Sequence, residues 1–447
     1  VTRVSAKEVT IGVDIGTTAV KAVAADGDGQ VVARARIPHR LRVPAADRLE
    51  HDADEAWRRG PLAAIAELDR PDATAVAVTA MVPSLTAVDE AGHPLTPGLL
   101  YGDSRGRGPA DGQTHSAATF LTGEAVQFLR WTAREAPDAK GYWPAAAVAN
   151  HALAGEAVLD QASAATSYPL FDGTGWSEQQ CLQCGVSTDR MPRVEPTGSA
   201  VGELRDSATV LAAGSVDALC EQLVAGAVQD GDVVVLCGTT LIVWITIPEY
   251  SEAQGLWTLP HPAAGKFQIG GPSNAGGLFI DWVNNLVAED NSVVRPADVP
   301  VWSPYIRGER TPHHDPDRRA VLDRLDLTHG AAAVRRAGHE ASGFVVRQLI
   351  ELSAARANRI VATGGGTRVL PWMQAIADAT GLPVEVSAAP EGAALGAAFL
   401  ARIAAGLDTS PADAVRWAST ERVVEPDPAW TGPMQDRYAR FLELGQP

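Results

Sequence analysis

The tripeptide Gly-Thr-Thr occurs at 16–18 and again at 238–240, each time between two apolar, β-branched runs. Val9–Asp14 and Ala19–Ala25 flank the first copy, and Asp232–Cys237 and Leu241–Ile247 flank the second. The copies lie 222 residues apart in a chain of 447, close to half its length. A strand–turn–strand unit heading each half points to a duplicated architecture. A chain of this length also exceeds what one hydrophobic core organises. The halves therefore read as two domains, 1–228 and 229–447.

The first half continues with a turn at Asp26-Gly27-Asp28-Gly29 and a third strand, Val31–Ile37. A helix is expected over about 54–68, interrupted or begun afresh at Gly60-Pro61, then strands Thr74–Thr79 and Ser84–Asp89. The stretch 108–196 shows helical patches at Glu124–Glu135 and Pro144–Leu153, and a helix is expected from about Ser215 to Val228. In the second half a helix follows Ser273–Gly277, and a long one covers about Ala331–Arg356. Strand Arg359–Thr363 runs into Gly364-Gly365-Gly366, followed by a helix over Leu370–Thr380, strand Val384–Val386 and a small-residue helix over Glu391–Ala404. Strands alternating with helices imply α/β layers, and the small-residue helix is built to pack tightly on a neighbour.

The net charge of −17 argues against nucleic acid or an anionic membrane as partner. An anionic ligand would then need backbone N–H groups, a metal ion or a few placed cations. Val9–Val13 stops at Asp14 and reads as a strand, not a secretory signal, and the uncharged run 233–248 is short of a membrane helix. Of the four cysteines, only Cys181 and Cys184 have ligand spacing, and no second pair completes a zinc site. Reduced thiols and a cytoplasmic location are expected. His313-His314 reads as part of a loop.

Asp14-Ile15-Gly16-Thr17-Thr18 places an acid at the end of a buried strand, then glycine and two hydroxyls in a tight turn. Glycine permits close backbone approach. The turn N–H groups and the Thr hydroxyls can bind phosphate oxygens, and a carboxylate beside them suits Mg²⁺. Lys21 can add charge. A polar hairpin without a ligand is the competing reading, and the second Gly-Thr-Thr weakens it. Gly364–Gly366, between a strand and a helix, suits a nucleotide. Asp217, in the first turn of its helix, reads on composition alone as a cap or dipole partner.

Taken together, the blocks Asp14–Lys21, Leu99–Arg105, Gly308-Glu309-Arg310-Thr311-Pro312 and Ala362–Asp378 resemble the FGGY carbohydrate kinases, a branch of the actin-like ATPase superfamily that includes xylulokinase and glycerol kinase. The resemblance spans nearly the whole chain. It implies an α/β, two-domain actin-like (ribonuclease H-like) fold with a central cleft, and transfer of the ATP γ-phosphoryl group to a hydroxyl of a small sugar or polyol. It also implies Mg²⁺ near Asp14 and Asp217, with Asp217, in Gly214-Ser215-Val216-Asp217, as the catalytic base. Gly16, Thr17, Thr18 and Lys21 become the first phosphate loop, Gly238, Thr239 and Thr240 the second, and Gly364, Gly365 and Gly366 the adenosine-side loop. The acceptor side falls to Met81, Asp103, Arg105 and Asp217, with Tyr101 where the family has Trp. A homodimer is a further expectation.

The acceptor side departs from the family pattern. Thr79-Ala80-Met81-Val82-Pro83 replaces Gly-Gln-Met-His-Gly, and Ala218 replaces the Asn expected after the catalytic Asp. Apolar groups cannot replace a hydroxyl's buried hydrogen-bond partner, so D-xylulose is doubtful as the acceptor. Two other classes stay open on the residues: a nucleotide-gated binding or regulatory protein without turnover, and a filament- or chaperone-type ATPase. The first is favoured by the altered 79–83 segment and opposed by the retained Asp14 and Asp217.

Overall fold

The computed structural model describes residues 8–45, 48–106, 124–205, 207–263, 265–389 and 391–446. The part of the 108–196 stretch before Glu124 lies outside them. The chain divides into two compact units: residues up to Val224 together with Glu391–Trp417, and Ala225–Pro390 together with Ala418 onward.

The first unit is built on strands β1 (Val9–Ile15), β2 (Ala19–Ala25), β3 (Val31–Pro38), β4 (Ala73–Ala80), β5 (Ala200–Glu203) and β6 (Val210–Ala212), in the order β5-β6-β4-β1-β2-β3. All seven residues of β1 are buried, as a continuous apolar run in a central strand requires, whereas β3 at the edge alternates. β1 pairs antiparallel with β2 and parallel with β4, setting Asp14 opposite Lys21 on one side and Thr79 on the other. The segment after β3 makes a π-helical turn over Asp54–Arg59 and an α-helix, α1, over Gly60–Leu68. The interruption thus falls at Gly60-Pro61, since Pro fits only the first turn of a new helix.

A smaller sheet in this unit orders Glu50–His51, Gly98–Leu100, Ser84–Val88 and Gly141–Trp143. Beneath it lies a separate apolar cluster containing Phe128, Tyr142, Cys181 and Cys184. All four cysteines are free and buried. Burial pushes the Cys181 thiol up to about 11, so it packs as a small apolar group and is not a reactive thiolate.

The second unit repeats the plan with β7 (Asp232–Cys237), β8 (Leu241–Ile247), β9 (Trp257–Pro260), β10 (Phe267–Ser273), β11 (Arg359–Thr363), β12 (Val384–Ser387) and β13 (Thr420–Val424), ordered β9-β10-β8-β7-β11-β12-β13. β7 pairs antiparallel with β8 and parallel with β11, as β1 does with β2 and β4. The duplicated unit is therefore a shared topology as well as a shared tripeptide. Among the described residues, no helix is long and apolar enough to cross a membrane.

Helix α2 (Asp217–Leu223) is shorter than the sequence pattern suggests, because the chain turns into positive φ at Gly226. Helices α3 (Gly277–Leu286), α4 (Ala331–Leu352) and α5 (Leu370–Thr380) belong to the second unit. The small-residue helix, α6 (Gly392–Ala404), belongs to the first. It lies between the two elements that carry Asp14 and Asp217. One face meets β1 so closely that a Cβ on Gly12 would overlap the Ala394 carbonyl, and Thr10 Oγ1 donates to Ala398 O at 2.8 Å. On the opposite face a Cβ on Gly396 would overlap the Cys220 carbonyl in α2.

Candidate active site

Asp14 sits near the carboxyl end of β1, Asp217 at the first position of α2. β4 joins the two: Thr79 Oγ1 donates to Ser215 O at 2.6 Å, and Ala80 bridges to Val216. The same strand end brings Met81 N to 3.4 Å from Ile15 O. The Asp217 carboxylate does not cap its helix. Val216 occupies that position, and Asp217 Oδ1 accepts the Ala218 N–H at 2.7 Å.

Two acids in one buried place oppose each other's ionisation. Burial pushes Asp217 up to about 7, the neighbouring Asp14 charge adds to this, and Glu221 adds less. Burial likewise raises Asp14 to about 6, with Lys21 across the hairpin pulling the other way. Asp14 Oδ1 is buried without a hydrogen-bond partner among the described residues. A buried acceptor left open beside a second carboxylate fits Mg²⁺, which takes one or two carboxylates and fills its other positions with water and phosphate. Among the described residues no three His, Cys, Asp or Glu side chains converge as a cage, so the donor set does not suit a metal held by protein alone.

Folding therefore raises the proton affinity of Asp14 and Asp217 above that of the unfolded chain, and the associated stability is lost as pH rises through 6 to 7. Buried Glu309, also raised to about 7, acts in the same direction. His51, His261, His313 and His339, pushed down to about 4 by burial, act oppositely, but only below their ordinary value of 6.5. In EDTA the unfolding midpoint should consequently fall between pH 6.5 and 8, and fall less steeply in Asp217→Asn. Equal slopes in a thermal-melt series would refute the raised proton affinity of Asp217 in the folded chain.

The first Gly-Thr-Thr turn closes with Gly16 N–H donating to Ala19 O at 3.1 Å. Thr17 is half-buried and Thr18 exposed. The second closes with Gly238 N–H donating to Thr240 O at 3.1 Å. Its carbonyls are tied to the start of α3: Gly277 N–H donates to Gly238 O at 2.8 Å and Leu278 N–H to Thr239 O at 3.1 Å. Glu309 braces the segment leading into α3, accepting from Ser273 Oγ at 2.8 Å and Asn274 N–H at 3.0 Å. That gives the Gly308–Pro312 block a structural task that its composition does not disclose.

In the glycine triplet after β11, Gly364 has φ +93, and a Cβ there would lie 2.9 Å from the Cys237 carbonyl at the end of β7. Gly365 has no atom within 4 Å of its would-be Cβ and opens onto a pocket of about 280 Å³. Gly364, Thr367, Arg368, Ser387, Ala388, Ala389 and Glu421 line the rest of it.

The acceptor-side residues divide. Met81 is buried in the first unit's core, and only its neighbours Val82 and Pro83 are partly accessible. Asp103 is fully buried and paired with Arg105, whose Nη2 also reaches Glu50 at 2.7 Å and whose guanidinium lies over the Trp131 ring. Tyr101 Oη lies 3.4 Å from Thr17 Oγ1, linking that segment to the first loop. Glu50 and His51 reach this region through the two-residue strand of the small sheet, and Trp57 through its bond to His51, so no contiguous motif marks them. His313 and His314 bond to Tyr305 Oη and Gly255 O respectively, as loop residues.

Duplicated α/β units, with a buried acid pair in the first and a glycine-walled pocket in the second, give the chain the two-domain fold class of the actin-like ATPases. More narrowly, the chain belongs to the FGGY family of carbohydrate kinases: the family's N-terminal domain matches residues 9–216 and its C-terminal domain residues 233–405. It is a carbohydrate kinase, transferring a phosphoryl group to an alcohol. Among curated relatives, it is 25% identical to a xylulose kinase of Escherichia coli, covering 98% of both chains. It is 26% identical to a gluconokinase of Bacillus subtilis, covering 89% of this chain and 87% of that one. The crystal structure of a "xyloylose kinase" from Brucella ovis shares the fold with a TM-score of 0.81, at 22% identity and 98% coverage of both chains.

Proposed function

We propose that this kinase phosphorylates a small sugar or polyol with ATP as donor, and that Asp217 is its general base. The observation that supports this most is the buried Asp14–Asp217 pair, with Asp217 raised to about 7, where a base both takes and releases a proton at neutral pH. In this reading the acceptor hydroxyl oxygen forms a bond to the γ-phosphorus, its proton passes to Asp217, and the bond to the β-phosphate oxygen breaks, releasing ADP. Thr17 and Thr18 hydrogen-bond phosphoryl oxygens in the first unit, with Lys21 adding charge. Thr239 and Thr240 do the same in the second unit, where Gly364–Gly366 border the adenosine. Asp14 and Asp217 would hold Mg²⁺, which when bound offsets charge on the β- and γ-phosphates. A donor of this kind fits a cytoplasmic location.

Xylulose and gluconate are the acceptors suggested by the relatives' names. We favour an acceptor other than D-xylulose. After β4, whose end meets Ile15, the accessible residues are Val82 and Pro83, neither with a hydrogen-bonding side chain, and Asp103 and Arg105 spend several of their bonds on each other. A site without partners for hydroxyls discriminates against heavily hydroxylated acceptors. Coupled ADP release over pentoses, ketoses, polyols, glycerol and gluconate tests this. Acceptor-dependent release is expected, with D-xylulose not the best substrate. No acceptor-dependent release across the panel would defeat the reading.

A further inference from the structure

His51 is fully buried and touches the first phosphate loop from behind. Its Nε2 lies 2.8 Å from Thr17 O, and its Nδ1 lies 3.0 Å from Trp57 Nε1. An indole N–H only donates. Nδ1 must then be the acceptor, which leaves the ring proton on Nε2, donating to the Thr17 carbonyl. Trp57 is itself fully buried, and the His39 ring stands edge-on to His51 with centroids 4.5 Å apart. The ring is thus held in one tautomer and one orientation.

A trans peptide points its C=O and its following N–H in opposite directions. Holding Thr17 O inward therefore turns the Thr18 N–H outward, at the exposed tip of the loop. No backbone acceptor among the described residues takes that N–H. The next carbonyl, Thr18 O, is held too, by the His39 backbone N–H at 3.1 Å. In the second loop the first N–H groups of α3 hold the carbonyls of Gly238 and Thr239 in the same manner. The two halves thus fix equivalent peptide planes by different means: a helix start in one, a buried imidazole in the other.

We propose that His51, oriented by Trp57, is a positioning residue that fixes the Thr17–Thr18 peptide plane so that the Thr18 N–H is aimed at a phosphoryl oxygen. The proposal rests on reading Gly16–Thr18 as a phosphate loop. It assigns a task to residues outside the family-like blocks, and it concerns the hydrogen-bonding pattern of the ring more than its bulk.

Glutamine carries one acceptor and one donor at similar reach, so His51→Gln can preserve both bonds, whereas His51→Leu fills the space and makes neither. The tests are steady-state kinetics with the best acceptor of the panel, thermal melting, and ¹⁵N-histidine NMR of the wild-type chain, with His51 assigned by its loss in H51Q. The NMR should show Nε2 protonated and Nδ1 bare. H51L should lose about 10²-fold in kcat with the acceptor KM changed less than about threefold, and H51Q should stay within about threefold of wild type. The Nδ1–H tautomer, a wild-type rate in H51L, or an H51Q as slow as H51L would each overturn the clamp. Should H51L not fold, Trp57→Phe carries the comparison: it removes the N–H that orients the ring together with part of the indole's buried volume, so its melting point is read beside its rate; an unchanged kcat there is equally fatal. Loss of turnover in D217N beside a wild-type rate in H51L would defeat the clamp and leave the reading of Asp217 standing. A wild-type rate in D217N would defeat that reading instead.

Discussion

Asp217→Asn should lower kcat by about 10³-fold while ATP affinity changes by less than about threefold, measured by single-turnover phosphoryl transfer and by calorimetric titration with ATP. The amide is nearly isosteric, and its oxygen can still accept the Ala218 N–H that Asp217 Oδ1 takes at 2.7 Å. What it loses is the ability to receive the acceptor's proton as the new O–P bond forms. The substitution also removes the titrating group whose proton affinity the Asp14 charge raises, while Asp14 keeps the burial that raises its own. In this reading ground-state binding of the nucleotide rests mainly on the two Gly-Thr-Thr loops, Lys21 and the glycine triplet, and the Asn oxygen can still face a Mg²⁺ held beside Asp14, which is why rate and affinity should part. Turnover within about tenfold of wild type would remove Asp217 from the role of base.

The second large effect is expected far from any proton. Gly396→Ala lies inside α6, where helix propensity alone favours alanine by about 1 kcal/mol. The contact opposes this, because the added methyl group would overlap the backbone carbonyl of Cys220, and backbone cannot swing aside as a side chain can. Overpacking of this kind costs about 1–3 kcal/mol and sometimes more, so the variant should melt several degrees lower despite the better helix former. Activity should fall further than stability, since Cys220 belongs to the same short helix as Asp217. A displacement of about 1 Å there is enough to lose about 10²-fold in rate. Gly12→Ala, pressing on Ala394 from the other side, should behave alike. A Gly396→Ala protein as stable as wild type would show that the packing is looser than the geometry states.

Much of this arrangement can be read in the chain, and for physical reasons. β7, β8 and β11 appear at the bounds expected from their apolar, β-branched runs, because central strands buried on both faces leave no other use for such residues. α5 ends where Gly381 adopts positive φ and caps it. The acid of the first hairpin is legible because strand, carboxylate and turn are contiguous. Other features are not local. Thr17 lies 34 residues before His51, and the two meet through a strand of only two residues, too short to leave a periodic signal, while Trp57 follows six residues on in a π-helical turn. Arg105 and Asp103 are visible as a polar pair, but their third partner, Glu50, enters from that same strand. The tight packing of α6 is written in its alanines and glycines, whereas the strand it packs on comes from the opposite end of the chain.

That last feature bears on how the protein is made. A chain leaving the ribosome has β1, β4 and α2 complete once Val224 is out, yet the helix that wedges between them is translated only after most of the second unit. Until then the Gly12 and Cys220 surfaces lack their cover, and the strand of Asp14 is tied to the start of Asp217's helix only through β4. The acid pair is thus assembled among the last parts of the molecule, and its completion requires that α6 be captured by a partner synthesised long before it.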